Sequence, residues 1–178
     1  MKINNLKRVL VIGCPGSGKS TLSKRLKSKL SLPLIHLDKY YHKPNWKEPN
    51  QSEWNKTLLN LMQQNSWIMD GNYAESFDIR FSNSDTIIYL DYSSVKCFFR
   101  VIKRIISDYG KTRSDMAPGC VERVDFKFLY YVLTFNKKNR KTTYIKINKL
   151  SNKKKVIILK SDKQVDKFLR KLGQYTVP

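Results

Sequence analysis

Two rhythms of apolar residues alternate along the chain. One is a short, continuous, β-branched run, the mark of a strand buried on both faces. Arg8–Ile12 has this form, as do "SLPLIHLD" ending at Asp38, "SWIMDGNY" ending at Asp70, "DTIIYLDYS" and "KKVIILKS". The other is the three-to-four spacing of a helix that buries one face. Lys19–Leu30 carries Leu22, Leu26 and Leu30 on one side. Ser52 is placed to cap a helix whose inner face is Trp54, Leu58, Leu61 and Met62. Val95–Tyr109 reads as a long basic amphipathic helix and Asp125–Asn136 as an aromatic one. "KKNRKTTYIKINKL" and Asp162–Leu172 follow as further helices. Two stretches break both rhythms. "KYYHKPNWKEPNQ" is polar and aromatic, with Pro44 and Pro49 interrupting regular structure. "GKTRSDMAPGCVER" is a polar loop holding Gly110, Pro118 and Gly119.

Strands alternating with helices predict an α/β fold in three layers, with a five-stranded parallel sheet covered on both faces. The 178 residues suit one domain with a real core. No apolar stretch approaches the length of a membrane span, and the run in "MKINNLKRVLVIG" is too short for a signal peptide. A cytoplasmic protein without membrane partners is expected. Cys14, Cys97 and Cys120 show no CxxC spacing, so they read as reduced thiols rather than a disulfide framework or zinc site.

Charge alters this picture in one half of the chain. Residues 1–90 carry 13 basic and 7 acidic side chains, and residues 91–178 carry 22 and 7, which together make the net charge of +21. Such an excess attracts polyanions: nucleotides, nucleic acid or an anionic surface. The lysine clusters at 137–141 and 153–155 read as solvated, or as weak nonspecific nucleic-acid contacts.

The first strand runs into Gly13-Cys-Pro-Gly-Ser-Gly18-Lys19-Ser20, which fits G-x-x-x-x-G-K-[ST] between a strand and a helix, the context that motif requires. Gly13, Gly16 and Gly18 let successive N–H groups turn inward, and the helix N-terminus adds its positive dipole end. Lys19 supplies a point charge for the β- and γ-phosphates, and the Ser20 hydroxyl a ligand for Mg²⁺. With Pro15, Ser17 and Thr21 these residues form the expected cradle for ATP, although the loop alone does not separate ATP from GTP.

Ligands of open α/β sheets bind beyond the carboxyl ends of the strands. Asp70 and Asp38 are expected there: Asp70 to hold Mg²⁺ through a water, Asp38 to orient or deprotonate an acceptor hydroxyl. Asp91, after the fourth strand, is a third candidate. His36 reads as a structural histidine, and His42 as a weak candidate. Lysine dominates the basic residues, so the arginines stand out. Arg100 and Arg104 lie four apart on one helix face, and Arg113 and Arg123 bracket the Gly/Pro loop. Guanidinium forks hold phosphate oxygens bidentately and stabilise charge on a transferring phosphoryl group.

Taken in order, these pieces resemble the nucleoside-monophosphate-kinase-like branch of P-loop proteins, which includes adenylate and shikimate kinases. The series "GCPGSGKST", "HLDKYYHKPNW", "WIMDGNY", "RVIKR", "GKTRSDMAPGCVER" looks more closely like the FlaR-related DNA topology modulation protein family, itself adenylate-kinase-like. The resemblance covers nearly the whole chain and is most specific in "TRSDMAPGCVER". It implies a P-loop kinase with an acceptor-binding insertion about 38–65 and a short helical lid about 110–123. Arg100 would lie near the adenine, and the loop Ser161-Asp162-Lys163 would flank that base. Arg104, Arg113 and Arg123 would close on phosphates. Adenylate kinases clamp the acceptor's phosphate with arginines in the segment that corresponds to 38–65. Here that segment has none, and "DGNY" replaces "DGFPR", so Arg80 alone is placed for that duty. Tyr40, Tyr41 and Trp46 would suit a planar or apolar acceptor.

The expected activity is transfer of the ATP γ-phosphate to a small acceptor that the sequence leaves unidentified. The alternative is a nonenzymatic ATP-binding protein that contacts nucleic acid through its basic C-terminal half. The family's name implies an effect on DNA topology, but the residues show no DNA-binding motif and no topoisomerase-type tyrosine site.

Overall fold

The computed structural model describes residues 6–173; Met1–Asn5, which open the stretch read above for a leader, lie outside them. Among the described residues, β1 (Arg8–Gly13), β2 (Leu34–His36), β3 (Trp67–Asp70), β4 (Thr86–Leu90) and β5 (Lys155–Leu159) form one parallel sheet in the order β2-β3-β1-β4-β5. Val9 pairs with Ile68 on one side and Thr86 on the other. The chain goes left from β1 to β2 and β3, then right to β4 and β5. The crevice beyond the carboxyl end of β1 is therefore the topological switch point where such sheets bind ligands.

Strand alternation feeds two cores. Val9, Val11, Ile68, Ile88 and Leu90 face one layer, where they meet Leu22 and Leu26 of α1 (Lys19–Leu30) and Cys97, Val101 and Ile105 of α5 (Ser94–Asp108). Leu129, Val132 and Phe135 of α6 (Phe126–Phe135) and Phe168 and Leu169 of α8 (Asp162–Gly173) complete that layer. Leu10, Ile12, Met69, Ile87 and Tyr89 face the other layer. There they meet Trp54 and Leu58 of α3 (Gln51–Leu61), Phe77 and Phe81 of α4 (Phe77–Asn83) and Ile147 of α7 (Lys141–Leu150). These inner-strand residues are buried on both faces, which is why their runs are continuous rather than alternating in the sequence.

Several local expectations differ. β2 stops at His36 because Leu37 leaves the extended region, with φ −60° and ψ −31°, although its N–H still donates to Asp70 O at 3.0 Å as the last rung of the ladder. Asp38 thus opens the one-turn helix α2 (Asp38–Tyr41) rather than ending a strand. In the stretch after it, Asn45 and Trp46 take left-handed backbone angles, with φ +60° and +62°, so the chain turns tightly after Pro44. The cap of α3 is Asn50, not Ser52: the Asn50 side chain accepts from Glu53 N at 2.9 Å. Helix α4 carried no sequence expectation. Residues 110–123 contain no helix. They form turns with single bridges, Tyr109 to Glu122 and Thr112 to Val121, around a small core of Met116, Ala117 and Cys120 that Trp46 covers. No described helix is long and apolar enough to cross a membrane.

Candidate functional site

The loop after β1 must turn sharply to start α1. Gly16 has φ +82°, and a Cβ there would sit 2.5 Å from Cys97 O of α5. Gly18 has φ +92° with open space beside it. Gly18 brings no side-chain cap to α1, and the first turn holds no carboxylate. The helix therefore presents uncapped N–H groups and its positive end. Ser17 Oγ is buried without a hydrogen-bond partner. An orphaned hydroxyl at such a place suits an anionic oxygen.

Residues 15–21 line one wall of a cavity of about 950 Å³. Gly13 stands behind them and, with Cys14, gives its carbonyl to Lys19 Nζ, both at 3.0 Å. Burial holds the Lys19 ammonium below the ordinary lysine range, opposed by Asp38, Cys14 and Asp70. Asp70 and Asp38 line the same cavity. Asp70 is buried, with Oδ2 at 2.9 Å from His36 Nδ1. The histidine is thus structural, as read from sequence, and it orients Asp70. Asp38 Oδ1 accepts a 2.6 Å hydrogen bond from the Tyr73 hydroxyl. Burial, followed by Asp38, pushes that phenol well above the usual tyrosine range.

Arg100, Arg104, Arg113 and Arg123 also line the cavity. Glu122 ties two of them together. Its Oε1 accepts from Arg104 Nη2 at 2.9 Å and Nε at 3.2 Å, while Oε2 lies 3.0 Å from Arg113 Nε. Arg113 also donates to Asp115 at 3.1 Å. Burial opposes ionisation of Asp115, but Arg113 and a hydrogen bond from Ser20 outweigh it and hold the carboxyl below the usual range. Arg123 is exposed, with its guanidinium 5.9 Å from the Trp46 ring centre. At the far end Arg100 donates to both oxygens of Asp162, at 2.8 and 2.9 Å, and lies over the Tyr92 ring. Burial opposes ionisation there too. Hydrogen bonds from Arg100, Lys96 and Tyr92 nevertheless hold Asp162 far below the carboxylate range.

Two sequence candidates fall outside the site. Asp91 does not line the cavity; its oxygens take Arg140 at 2.9 and 2.8 Å and the Tyr144 hydroxyl at 2.8 Å, so it anchors the start of α7. Arg80 is fully buried, and it donates to Ser76 Oγ and to the carbonyls of Gly71, Asn72 and Tyr73. It shapes the turn after β3 and has no face for an acceptor's phosphate. Glu122 and Tyr73 were not singled out in the sequence. The signal for Glu122 was its place beside Arg123 in an arginine-rich loop; Tyr73 lay within "DGNY".

Among the described residues no group of three or more His, Cys, Asp or Glu side chains could hold a metal by itself. Magnesium at phosphoryl-transfer sites takes one or two protein oxygens and completes its shell with phosphates and water. The hydroxyl of Ser20 and the carboxylate of Asp70 match that donor set.

This fold and phosphate loop define a P-loop protein of the kinase-like type. Residues 9–118, more than half of the chain, match the AAA domain family, and the chain belongs to it. Comparison with curated proteins gives no significant match. Among solved structures it is similar to shikimate kinase from Bacteroides thetaiotaomicron, with TM-score 0.59 and 14% identity over 96% of this chain and 98% of the other. It is also similar to deoxyadenosine kinase from M. mycoides with bound dCTP, with TM-score 0.50 and 18% identity over 93% and 98%. A protein from Chloroflexus aurantiacus described as a proposed kinase gives TM-score 0.53 and 15% identity over 97% and 100%. At such identities the likeness is one of fold.

Proposed function

We propose that the protein is an ATP-dependent phosphotransferase of the small-kinase type, close to the FlaR-related branch that its motifs resemble. One observation carries the reading: the phosphate loop, Asp38, Asp70 and the arginines Arg100, Arg104, Arg113 and Arg123, drawn from distant parts of the sequence, line a single cavity. ATP lies on residues 13–21, with the adenine beside Arg100 and flanked by the 161–163 loop whose Asp162 that arginine holds. Ser20 and Asp70 would hold Mg²⁺, which would supply positive charge for the β- and γ-phosphate oxygens. Lys19 turns from the Gly13 and Cys14 carbonyls to the phosphates. Asp38, oriented by Tyr73, accepts the proton of the acceptor hydroxyl. Arg104, Arg113 and Arg123 stabilise charge on the transferring group, and residues 110–123 act as the lid that excludes water. The kinases among the similar folds, one named for shikimate and one for a nucleoside, favour a small-molecule acceptor over nucleic acid.

The test is Lys19→Ala in the full chain. ATP affinity and acceptor-dependent ADP release should both be lost while the thermal transition stays cooperative. Undiminished ADP release would overturn the reading.

A further inference from the structure

The end of the cavity opposite Arg100 has a charge balance unlike that of a phosphate-binding pocket. Segments 38–48 and 70–74 build its wall, and they contribute no lysine or arginine to the lining. They contribute three carboxylates: Asp38, Glu48 and Asp70. The buried guanidinium beneath this wall, Arg80, is already saturated by its own turn. His42 adds no fixed cation, because burial lowers its affinity for a proton, with Asp38 and Glu48 opposing.

The same wall is aromatic. The Tyr41 ring centre lies 4.4 Å from that of Tyr73 and 4.9 Å from that of Trp54, and His42 meets Trp46 edge-on at 5.1 Å. The Tyr41 hydroxyl is held by Glu48 at 3.2 Å. Arg123, from the opposing loop, rests over Trp46. The ring thus already accepts a positive charge on its face.

We propose that the acceptor is a non-anionic alcohol, uncharged or cationic, with a flat ring, and that phosphate monoesters and carboxylates are excluded. This rests on the phosphotransferase reading above. Aromatic faces suit a planar body, and carboxylates suit hydroxyl and ammonium donors. A second anion beside Asp38 and Glu48 meets like charge, which opposes its binding. The transfer balances simply. The acceptor oxygen bonds to the γ-phosphorus, the bond from that phosphorus to the β–γ bridging oxygen breaks, ADP leaves, and the acceptor proton passes to Asp38.

The experiment uses the full chain with ATP, Mg²⁺ and matched pairs of compounds. The pairs are nucleosides against their 5′-monophosphates, and an aromatic amino alcohol against the corresponding hydroxy acid. Binding is read from tryptophan fluorescence, and transfer from ADP release. At least one uncharged or cationic member should bind about tenfold or more tightly than its anionic partner, and Glu48→Arg should narrow that gap. A monophosphate or carboxylate that binds as well as its partner would overturn the proposal, as would failure of every non-anionic member to bind. The two readings fail separately. Binding of a non-anionic member without ADP release ends phosphotransfer but keeps the pocket assignment; phosphorylation of a monophosphate does the reverse.

Discussion

Glu122 Oε2 lies 3.0 Å from Arg113 Nε, while the other carboxylate oxygen holds Arg104. One buried carboxylate thus pins two guanidinium groups that start from α5 and from the 110–123 loop. Its own backbone is fixed by Gly110 N to Glu122 O and Glu122 N to Lys111 O, both 2.9 Å. Both arginines line the cavity.

Glu122→Gln removes that counter-charge. The free protein should lose about 1–3 kcal/mol, the scale of charged hydrogen bonds in a buried setting. A bound triphosphate supplies replacement oxygens, so saturating ATP should narrow the gap in Tm between variant and wild type. Differential scanning calorimetry with and without ATP checks this.

Lys19 gives the pH dependence. Burial holds its free-state ammonium below the ordinary lysine range, so part of it deprotonates before an exposed lysine would. The phosphates favour the charged form. Triphosphate affinity should therefore fall as pH rises through that lowered range, and binding there should take up a proton. Calorimetry in two buffers of different ionisation enthalpy measures the uptake. Lys19→Arg, which stays protonated, should abolish it.

Gly16 and Gly18 separate two kinds of glycine. Gly18→Ala meets only left-handed strain, about 1–2 kcal/mol. Gly16→Ala meets that strain and a backbone oxygen at 2.5 Å from the new Cβ, so the loop must leave α5. Denaturant midpoints should fall distinctly further for Gly16→Ala.

Trp46 joins the two stretches that break the strand and helix rhythms of the sequence. Its indole N–H donates to Val121 O at 3.2 Å, and Asn45 N reaches Gly119 O at 3.4 Å. Trp46→Phe removes a hydrogen bond of about 1 kcal/mol. Amide exchange within 110–123 should quicken roughly fivefold while β1 and β4 are unchanged.

The strands and the phosphate loop were legible because their signals are local. Short apolar runs give all five strands, β1 to β5, and the glycine spacing gives the loop. What escaped was set by contacts distant in the chain. Helix α4 is short, and its Phe77 and Phe81, stacked at 4.8 Å, are the visible part of a face otherwise polar in composition. Asp38 looked like a strand end because nothing in "IHLD" shows that Leu37 takes helical angles and starts α2. The cavity carboxylates were readable as types, but their partners were not. Glu122 meets Arg104 across 18 positions, and Tyr73 meets Asp38 across 35. Residues 110–123 read as polar because Met116, Ala117 and Cys120 are few, yet they suffice to seat the loop under Trp46.

The most direct measurement compares wild type and Asp38→Asn for ADP release across an acceptor panel, with ATP affinity followed in parallel. A phosphotransferase built on Asp38 should release ADP only with its acceptor. The variant should lose about 10²–10⁴-fold in turnover, the scale of a general base, at nearly unchanged ATP affinity. Acceptor-dependent ADP release that survives Asp38→Asn undiminished would contradict it, as would tight ATP binding with no acceptor-dependent release at all.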